Sequence, residues 1–214
     1  MWSITGIVYR SRQPVPAGAN NHGEALGLIR SGAGVATPDI HIVFVDVPLR
    51  EDSLPGPEIG AGYTIMVALL LPYSRGSIRL ADAAPHTPPV IDHNYYADPR
   101  DVDAVVAGLR AARVIGAAHA LDPWRRDERL PGLGVDDYEG LAAYARRNLR
   151  SYSHYAGTCR IGMDEDAVVD TELRVHGISG LRVADASVMP SPISANSNAT
   201  VYAVAERAAA LIRG

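Results

Sequence analysis

The sequence predicts an α+β fold: an antiparallel sheet with flanking helices, followed by shorter strands and a terminal helix. Three observations predict it. Runs rich in β-branched and aromatic residues lie at 41–47 and 63–72, on either side of a loop carrying Pro and Gly. Apolar residues recur at helical spacing after Asp98-Pro99, and again from Asp136. Beyond residue 150 the pattern changes to short extended runs and one long amphipathic stretch. Residues 1–150 are therefore expected to form one domain, and 151–214 a separate unit.

In chain order, residues 1–38 are rich in Gly, Pro, Ala and Asn. PVPAGANNHG and RSGAGVATPD read as turns or irregular chain, with a short helix allowed over 24–30. The stretch is poor in large apolar residues and is expected to lie against other elements. Residues 41–47 (HIVFVDV) read as a strand, and 48–62 as a loop. The near-continuous apolar run 63–72 suits a strand buried on both faces. Ser74-Arg75-Gly76 signals a turn, so 77–80 is expected to return beside 63–72 as a hairpin. Residues 85–89 are loop and 90–92 short and extended.

Asp98 can cap a helix, Pro99 suits its first position, and Asp101 favours its positive end. Val102, Val105, Val106, Leu109 and Ala112 then share a face. A second helix is expected over 136–150, with Tyr138, Leu141, Ala142, Ala145 and Leu149 on one side. Residues 168–175 and 181–184 read as strands joined by a turn at 176–180. The last helix, over 197–213, carries Val201, Val204, Ala205, Ala208, Leu211 and Ile212 on one stripe.

Composition narrows the function classes. Hydrophobic residues make up 47% and charged residues 21%, a balance that buries a core and excludes long disorder. The net charge is −4 and no Lys/Arg stripe occurs, which disfavours nucleic acid as partner. Arg125-Arg126 and Arg146-Arg147 read as solvated charges. Cys159 stands alone, so an intramolecular disulfide is impossible and a Cys/His zinc site is not expected. The N-terminus lacks the pattern of a signal peptide, and the longest apolar run, 65–71, is too short to span a bilayer. A cytoplasmic protein without a membrane span is expected.

Three constellations carry chemistry. His154 leads into Ala156-Gly157-Thr158, where backbone bonds can hold an imidazole facing a cavity. Its ordinary pKa suits a general base, although such a histidine also serves simply to brace a turn. Asn196 precedes the last helix. It can act as an N-cap, or place a polar group where free N–H groups stabilise developing negative charge. The run 181–187 ends in Asp185-Ala186-Ser187, which reads equally as a turn or as backbone offered to a ligand. The other six histidines, His41 among them, read as structural. No G-x-S-x-G and no compact metal-ligand set occurs.

The segment His154-x-x-Gly157-Thr158-Cys159-Arg160-x-Gly162 resembles the signature of the glucose–methanol–choline (GMC) oxidoreductase family. So do Val183-Ala184-Asp185-Ala186-Ser187 and Asn196-x-Asn198-Ala199-Thr200, in order and at the family's spacing. Pro38-Asp39-Ile40, Ser74-Arg75-Gly76-Ser77 and Asn94-Tyr95-Tyr96-x-Asp98-Pro99 are similar to its substrate-domain segments. The resemblance implies that 1–150 is a substrate-binding domain, incomplete at its N-terminus. It implies that 151–214 holds the catalytic loop plus the strands and helix that complete an FAD-binding domain.

The activity implied is FAD-dependent oxidation of a small-molecule alcohol to an aldehyde or ketone. His154 would take the hydroxyl proton and Asn196 would bond the substrate oxygen. Asp185 and Ala186 would meet the cofactor through backbone, and Ser197 and Asn198 its ring edge. Tyr155 stands where the family frequently has proline, a change expected to reshape the pocket wall. The glycine-rich G-x-G-x-x-G loop for the pyrophosphate is absent from the 214 residues. The resemblance thus implies a separately encoded FAD-binding chain or a longer polypeptide. Alternatives within the same fold are a flavin-containing hydroxynitrile lyase and a non-catalytic interaction module.

Overall fold

The computed structural model describes residues 1–16, 18 and 21–214. In chain order the elements are β1 (Ser3–Ser11), β2 (Gly23–Ile29), β3 (Ile40–Val45), β4 (Gly62–Leu69), β5 (Ser77–Arg79) and β6 (Val90–Asp92). Then follow α1 (Pro99–Gly116), β7 (Arg125–Leu130), α2 (Tyr138–Arg147), β8 (Arg150–Ser151) and α3 (Asn198–Arg213). The main sheet runs β2-β3-β4-β1-β7, with β8 also pairing to β1. Every pairing is antiparallel.

The apolar run of β4 is explained by its place. It lies between β3 and β1, and all eight of its residues are buried. Alternation sends Tyr63, Ile65, Val67 and Leu69 to one face, where Ile7, Ile40 and Ile42 join the buried sides of α1 and α2. Met66 and Ala68 point to the other face with Ile4, Val43 and Val45, against Leu49 and Tyr152. Burying each such side chain contributes about 1.5–3 kcal/mol, so the sheet is a rigid platform with two packed faces.

Both expected helices of this region form, and their caps explain where they start. The carboxylate of Asp98 accepts from Arg100 N at 3.0 Å, with Pro99 at the first helical position. Val102, Val105, Val106, Leu109 and Ala112 are all buried. Gly108 lets α1 approach the sheet, since a Cβ there would lie 2.5 Å from Val67 Cγ1. Asp101 does more than favour the helix start. It is buried and accepts from the backbone N–H of Tyr73 (2.7 Å) and Ser74 (2.9 Å), tying the loop after β4 to the helix. Asp137 caps α2 through Gly140 N at 2.8 Å. Its inward face is Leu141, Ala142, Tyr144 and Ala145, while Tyr138 is exposed and bonds Asp103.

Several expectations are corrected. Residues 23–29 form a strand, not the helix allowed there, and residues 3–11, which the sequence left without an element, form another. β1 is central, and its small Ser3, Thr5 and Gly6 suit that position: a Cβ on Gly6 would lie 2.8 Å from the Ile65 carbonyl. Part of the expected turn, at 17, 19 and 20, lies outside the described residues. Residues 77–80 do not return beside β4, because both edges of β4 are taken by β1 and β3. Instead β5 pairs with β6 as a separate ribbon. Arg125 and Arg126 belong to β7, where Arg125 bonds the Gly116 carbonyl and Asp122.

Beyond residue 151 the expected strands reduce to isolated bridges, Val169 with Val175 and Arg174 with Arg182. Leu173 adopts φ 64°, a left-handed conformation that interrupts an extended run. Gly177 and Gly180 supply the expected turn, both at φ 76°. A small core of Val169, Leu173, Val188 and Ala208 holds this region together. The helix α3 begins at Asn198 with Ser197 as its N-cap, so Asn196 is not the cap. Val204, Ala208 and Leu211 face this core and Val201 is half-buried, while Ala205 and Ile212 are exposed.

Candidate active site

The second face of the sheet carries the site. Trp2, just before β1, is fully buried. Its carbonyl accepts from Tyr152 N at 3.2 Å, which continues the β1–β8 pairing by one residue. Tyr152 stacks on Trp2 with ring centroids 5.8 Å apart. The next residue, Ser153, has φ 60°. That left-handed turn, costing about 1 kcal/mol for a non-glycine residue, redirects the chain. The His154 ring lands 4.3 Å from Trp2 and 5.2 Å from Tyr152.

The segment after His154 is fixed by backbone bonds. Gly157 adopts φ 92°. Its N–H and that of Cys159 both donate to the Ser187 carbonyl, at 3.1 and 3.0 Å, and Ile161 N donates to Val188 O at 2.9 Å. The small residues after His154 therefore let the loop lie close against 187–188. Asp185 uses its carboxylate locally, accepting from Ser187 N at 2.7 Å.

Of the residues expected at the site, the structure brings His154, Asn196 and Ser197 into contact. Asn196 Nδ2 lies 3.1 Å from His154 Nε2, and Ser197 Oγ lies 2.8 Å from His154 Nδ1. Both imidazole nitrogens are thus held by two consecutive residues at the head of α3. Asn198 is exposed on the first turn of that helix, and Asp185 is exposed on its own turn; neither shares a hydrogen bond with His154 among the described residues. The first amide groups of α3 supply donors at a positive helix end. Ser197, expected at a cofactor's ring edge, directs its hydroxyl to His154.

Burial holds the His154 pKa below its ordinary value, so the ring resists protonation and stays neutral, with one nitrogen lone pair free. His41, on β3, lies beneath it at 2% exposure, and neither ring nitrogen has a hydrogen-bond partner among the described residues. Burial first, and His154 second, push the His41 pKa down. Sequence reasoning missed Trp2, Tyr152 and His41 as the wall of this site. Only Tyr152, two positions before His154, lay near a recognisable signal.

A cleft of about 1100 Å³ opens beside these residues, lined by Met1, Arg75, His93, Tyr95, Tyr155 and Gly157 among others. His154 and Asn196 do not line it, while Tyr155, Ala156, Gly157 and Thr158, directly after His154, do. Tyr155 forms part of its wall, with its hydroxyl 3.2 Å from Ser151 Oγ. Among the described residues, no group of three or more His, Cys, Asp or Glu could hold a metal ion. No helix in the described residues is long and apolar enough to cross a membrane.

Residues 72–205 match the sequence profile described as GMC oxidoreductase. An oxygen-dependent choline dehydrogenase of Proteus mirabilis is 40% identical over 197 residues, covering 92% of this chain and 35% of that protein. The crystal structure of a pyridoxine 4-oxidase from Mesorbium loti superposes with a TM-score of 0.93 at 32% identity, over 99% of this chain and 42% of that one. An FAD-dependent oxidoreductase from Chaetomium thermophilum gives a TM-score of 0.70 at 29% identity, over 83% of this chain and 28% of that one. The chain thus spans about a third of the length of the choline dehydrogenase it matches. With the profile covering more than half the residues, and both the α+β platform and the segment from His154 to the head of α3 inside the matched structures, the chain belongs to the GMC oxidoreductase family.

Proposed function

We propose that this chain supplies the substrate-binding platform and the proton-handling residues of an FAD-dependent alcohol oxidoreductase. The observation that carries the reading is the 3.1 Å contact between Asn196 Nδ2 and His154 Nε2, two residues 42 positions apart. The names of the relatives support the substrate class, since choline and pyridoxine both carry an oxidisable hydroxyl.

The residues present fit part of a flavin site. The head of α3 offers backbone donors with no competing side-chain cap, a donor set suited to an electron-rich ring edge. Ser197 and Asn198 would flank that edge, and the backbone of Asp185 and Ala186 would meet the ribityl–pyrophosphate stretch. The pyrophosphate cradle would come from a G-x-G-x-x-G segment outside these 214 residues, on the same polypeptide or on a partner chain. When bound, FAD would supply the hydride acceptor.

The chain's own residues do the rest. His154, neutral and half-buried, accepts the alcohol proton at Nε2. Asn196 gives up its contact with Nε2 to the incoming hydroxyl and donates its amide N–H to the oxygen as charge develops there. Trp2 and Tyr152 hold the imidazole plane and keep water from its inner side.

The test is a visible absorption spectrum of the chain alone and after co-expression with the flavin-binding segment. A flavin spectrum is expected only in the second sample. Flavin on the isolated chain would overturn the account of the cradle, and no flavin in either would overturn the cofactor assignment. In the loaded assembly, His154→Ala should retain flavin and lower alcohol oxidation by roughly a hundredfold or more, the scale of lost general-base catalysis. Unchanged turnover would remove His154 from the reaction.

A further inference from the structure

We propose that Ser197 is a positioning residue that fixes His154 in the tautomer with the proton on Nδ1, leaving Nε2 bare to accept a proton. The inference rests on the reading of His154 as the proton acceptor. Two independent features of Ser197 carry it.

The first is what the hydroxyl does not do. Ser197 is the N-cap of a sixteen-residue helix, and serine at that position ordinarily accepts from an amide of the first turn. Here the side chain makes no cap bond, and the residue has φ −74° and ψ −12°, outside the extended conformation usual for a cap. The second is what it does instead. Its Oγ lies 2.8 Å from His154 Nδ1, across 43 positions of sequence.

Proton counting then fixes the direction. The amide nitrogen of Asn196 faces Nε2 and can only donate, so Nε2 accepts. A neutral imidazole carries a single proton, which must then sit on Nδ1 and point at Ser197 Oγ. The serine hydroxyl accepts that bond without offering a rival charge. When Nε2 takes a proton from substrate, the Nδ1–H to Oγ bond becomes charge-assisted and strengthens. Ser197 thus favours the product side of the proton transfer without touching the substrate. No other titratable side chain hydrogen-bonds the ring among the described residues. The groups facing it are Tyr152 on its own segment, His41 on β3, and the uncharged Asn196 and Ser197 at α3.

The experiment uses the 214-residue chain with ¹⁵N-labelled histidine, read by long-range ¹H–¹⁵N NMR at pH ~8, where an ordinary histidine is neutral. The His154 signals are assigned by their loss in His154→Gln. Wild type should show a protonated Nδ1 and a bare Nε2. Ser197→Ala should move His154 toward the Nε2–H form, and Ser197→Thr, which keeps a hydroxyl, should restore the wild-type pattern. A wild-type ring protonated on Nε2, or a tautomer indifferent to Ser197→Ala, overturns the proposal; the former would also reverse the orientation of the Asn196 amide.

In the flavin-loaded assembly, Ser197→Ala should lower kcat about tenfold, the lower end for losing an outer partner of a functional imidazole. KM should change little, and Ser197→Thr should recover most of the loss. A shifted tautomer in an assembly that oxidises no alcohol even as wild type would support the positioning role and remove the reading it rests on. A shifted tautomer with unchanged kcat would overturn the role in the reaction.

Discussion

Replacing Asp101 should uncouple the loop that lines the cleft from the helix that anchors it. Asp101 is 1% exposed and its two oxygens accept from Tyr73 N at 2.7 Å and Ser74 N at 2.9 Å. Hydrogen bonds to a charged group contribute about 1.5–3 kcal/mol each, which sets a loss of roughly 3–6 kcal/mol for Asp101→Ala. Tyr73 is exposed, so its freed amide can turn to water, and Arg100 packs 3.7 Å over the Tyr73 ring and limits the loop's excursion. The lower end, about 3 kcal/mol, is therefore expected. With an m-value of ~3 kcal/mol/M for a chain of this size, the urea midpoint should fall by about 1 M.

Two comparisons isolate the cause. Asp101→Asn keeps one acceptor and should lose about half as much. Asp137→Ala removes an exposed cap and should lose only ~1 kcal/mol. If Asp101→Ala cost no more than Asp137→Ala, the argument that this carboxylate fastens the loop would be refuted.

Other perturbations test separate parts of the structure. Gly108→Ala gains ~1 kcal/mol of helix propensity, but its methyl would meet Val67 Cγ1 at 2.5 Å. Overpacking costs about 1–3 kcal/mol, so a net loss and a Tm lower by a few degrees are expected; a higher Tm would show that α1 can lift from the sheet. Arg113→Met should cost about 3–5 kcal/mol by stranding the buried Glu128 carboxylate, 2.8 Å away in wild type. Adding Glu128→Gln should recover much of that loss in a chemical denaturation series. His41→Leu should stabilise the chain by ~1 kcal/mol at pH 8, because two unpartnered ring nitrogens leave the core. The gain should grow on acidification. Both His41 and His154 have pKa values held below the unfolded value, so the unfolded state binds more protons and stability drains away as pH falls below ~6.5. An equal gain at pH 5 and pH 8 would contradict the depressed pKa of His41.

What the sequence made legible follows from how local each signal is. α1 was readable because its cap, Asp98, and its apolar face sit within a few turns of each other, and α2 from its apolar face alone. β4 was readable because burial on both faces leaves an apolar run. β1 was hidden by the Gly- and Pro-rich stretch that follows it, and by Gly6, which its close approach to β4 requires but which weakens a strand pattern. β7 was hidden by charge: RRDERL is a strand because Arg10 and Arg113 from other elements pair with Asp127 and Glu128. The false hairpin after β4 arose because local pattern cannot say which strands already occupy an edge.

The site divides in the same way. His154 and Asn196 were found through their flanking residues and through the resemblance, and the structure brings them within hydrogen-bonding distance. Trp2, just before β1, and His41, on β3, are remote in sequence and carry no spacing that links them to His154; Tyr152 lies two positions before it, but nothing local marks it as part of a wall. Nor could sequence decide which polar residue before α3 caps the helix, so the contact of Ser197 with His154 became visible only in three dimensions.

The central place of β1 has a kinetic consequence. Ser3 pairs with Ser151 and Ile4 with Arg150, so strands made roughly 150 residues apart share one ladder. At ~5–20 residues per second, the ribosome needs about 7–30 s after making β1 to deliver its last sheet partner. During that interval Trp2, Ile4 and Ile7 have no completed surface to bury against, which leaves apolar side chains of the nascent chain exposed. The same closing step that seats β8 beside β1 brings Tyr152 and His154 onto Trp2. Sheet closure and assembly of the aromatic wall are thus one event, and a chain that stalls before it should be both unfolded at its centre and without its imidazole in place.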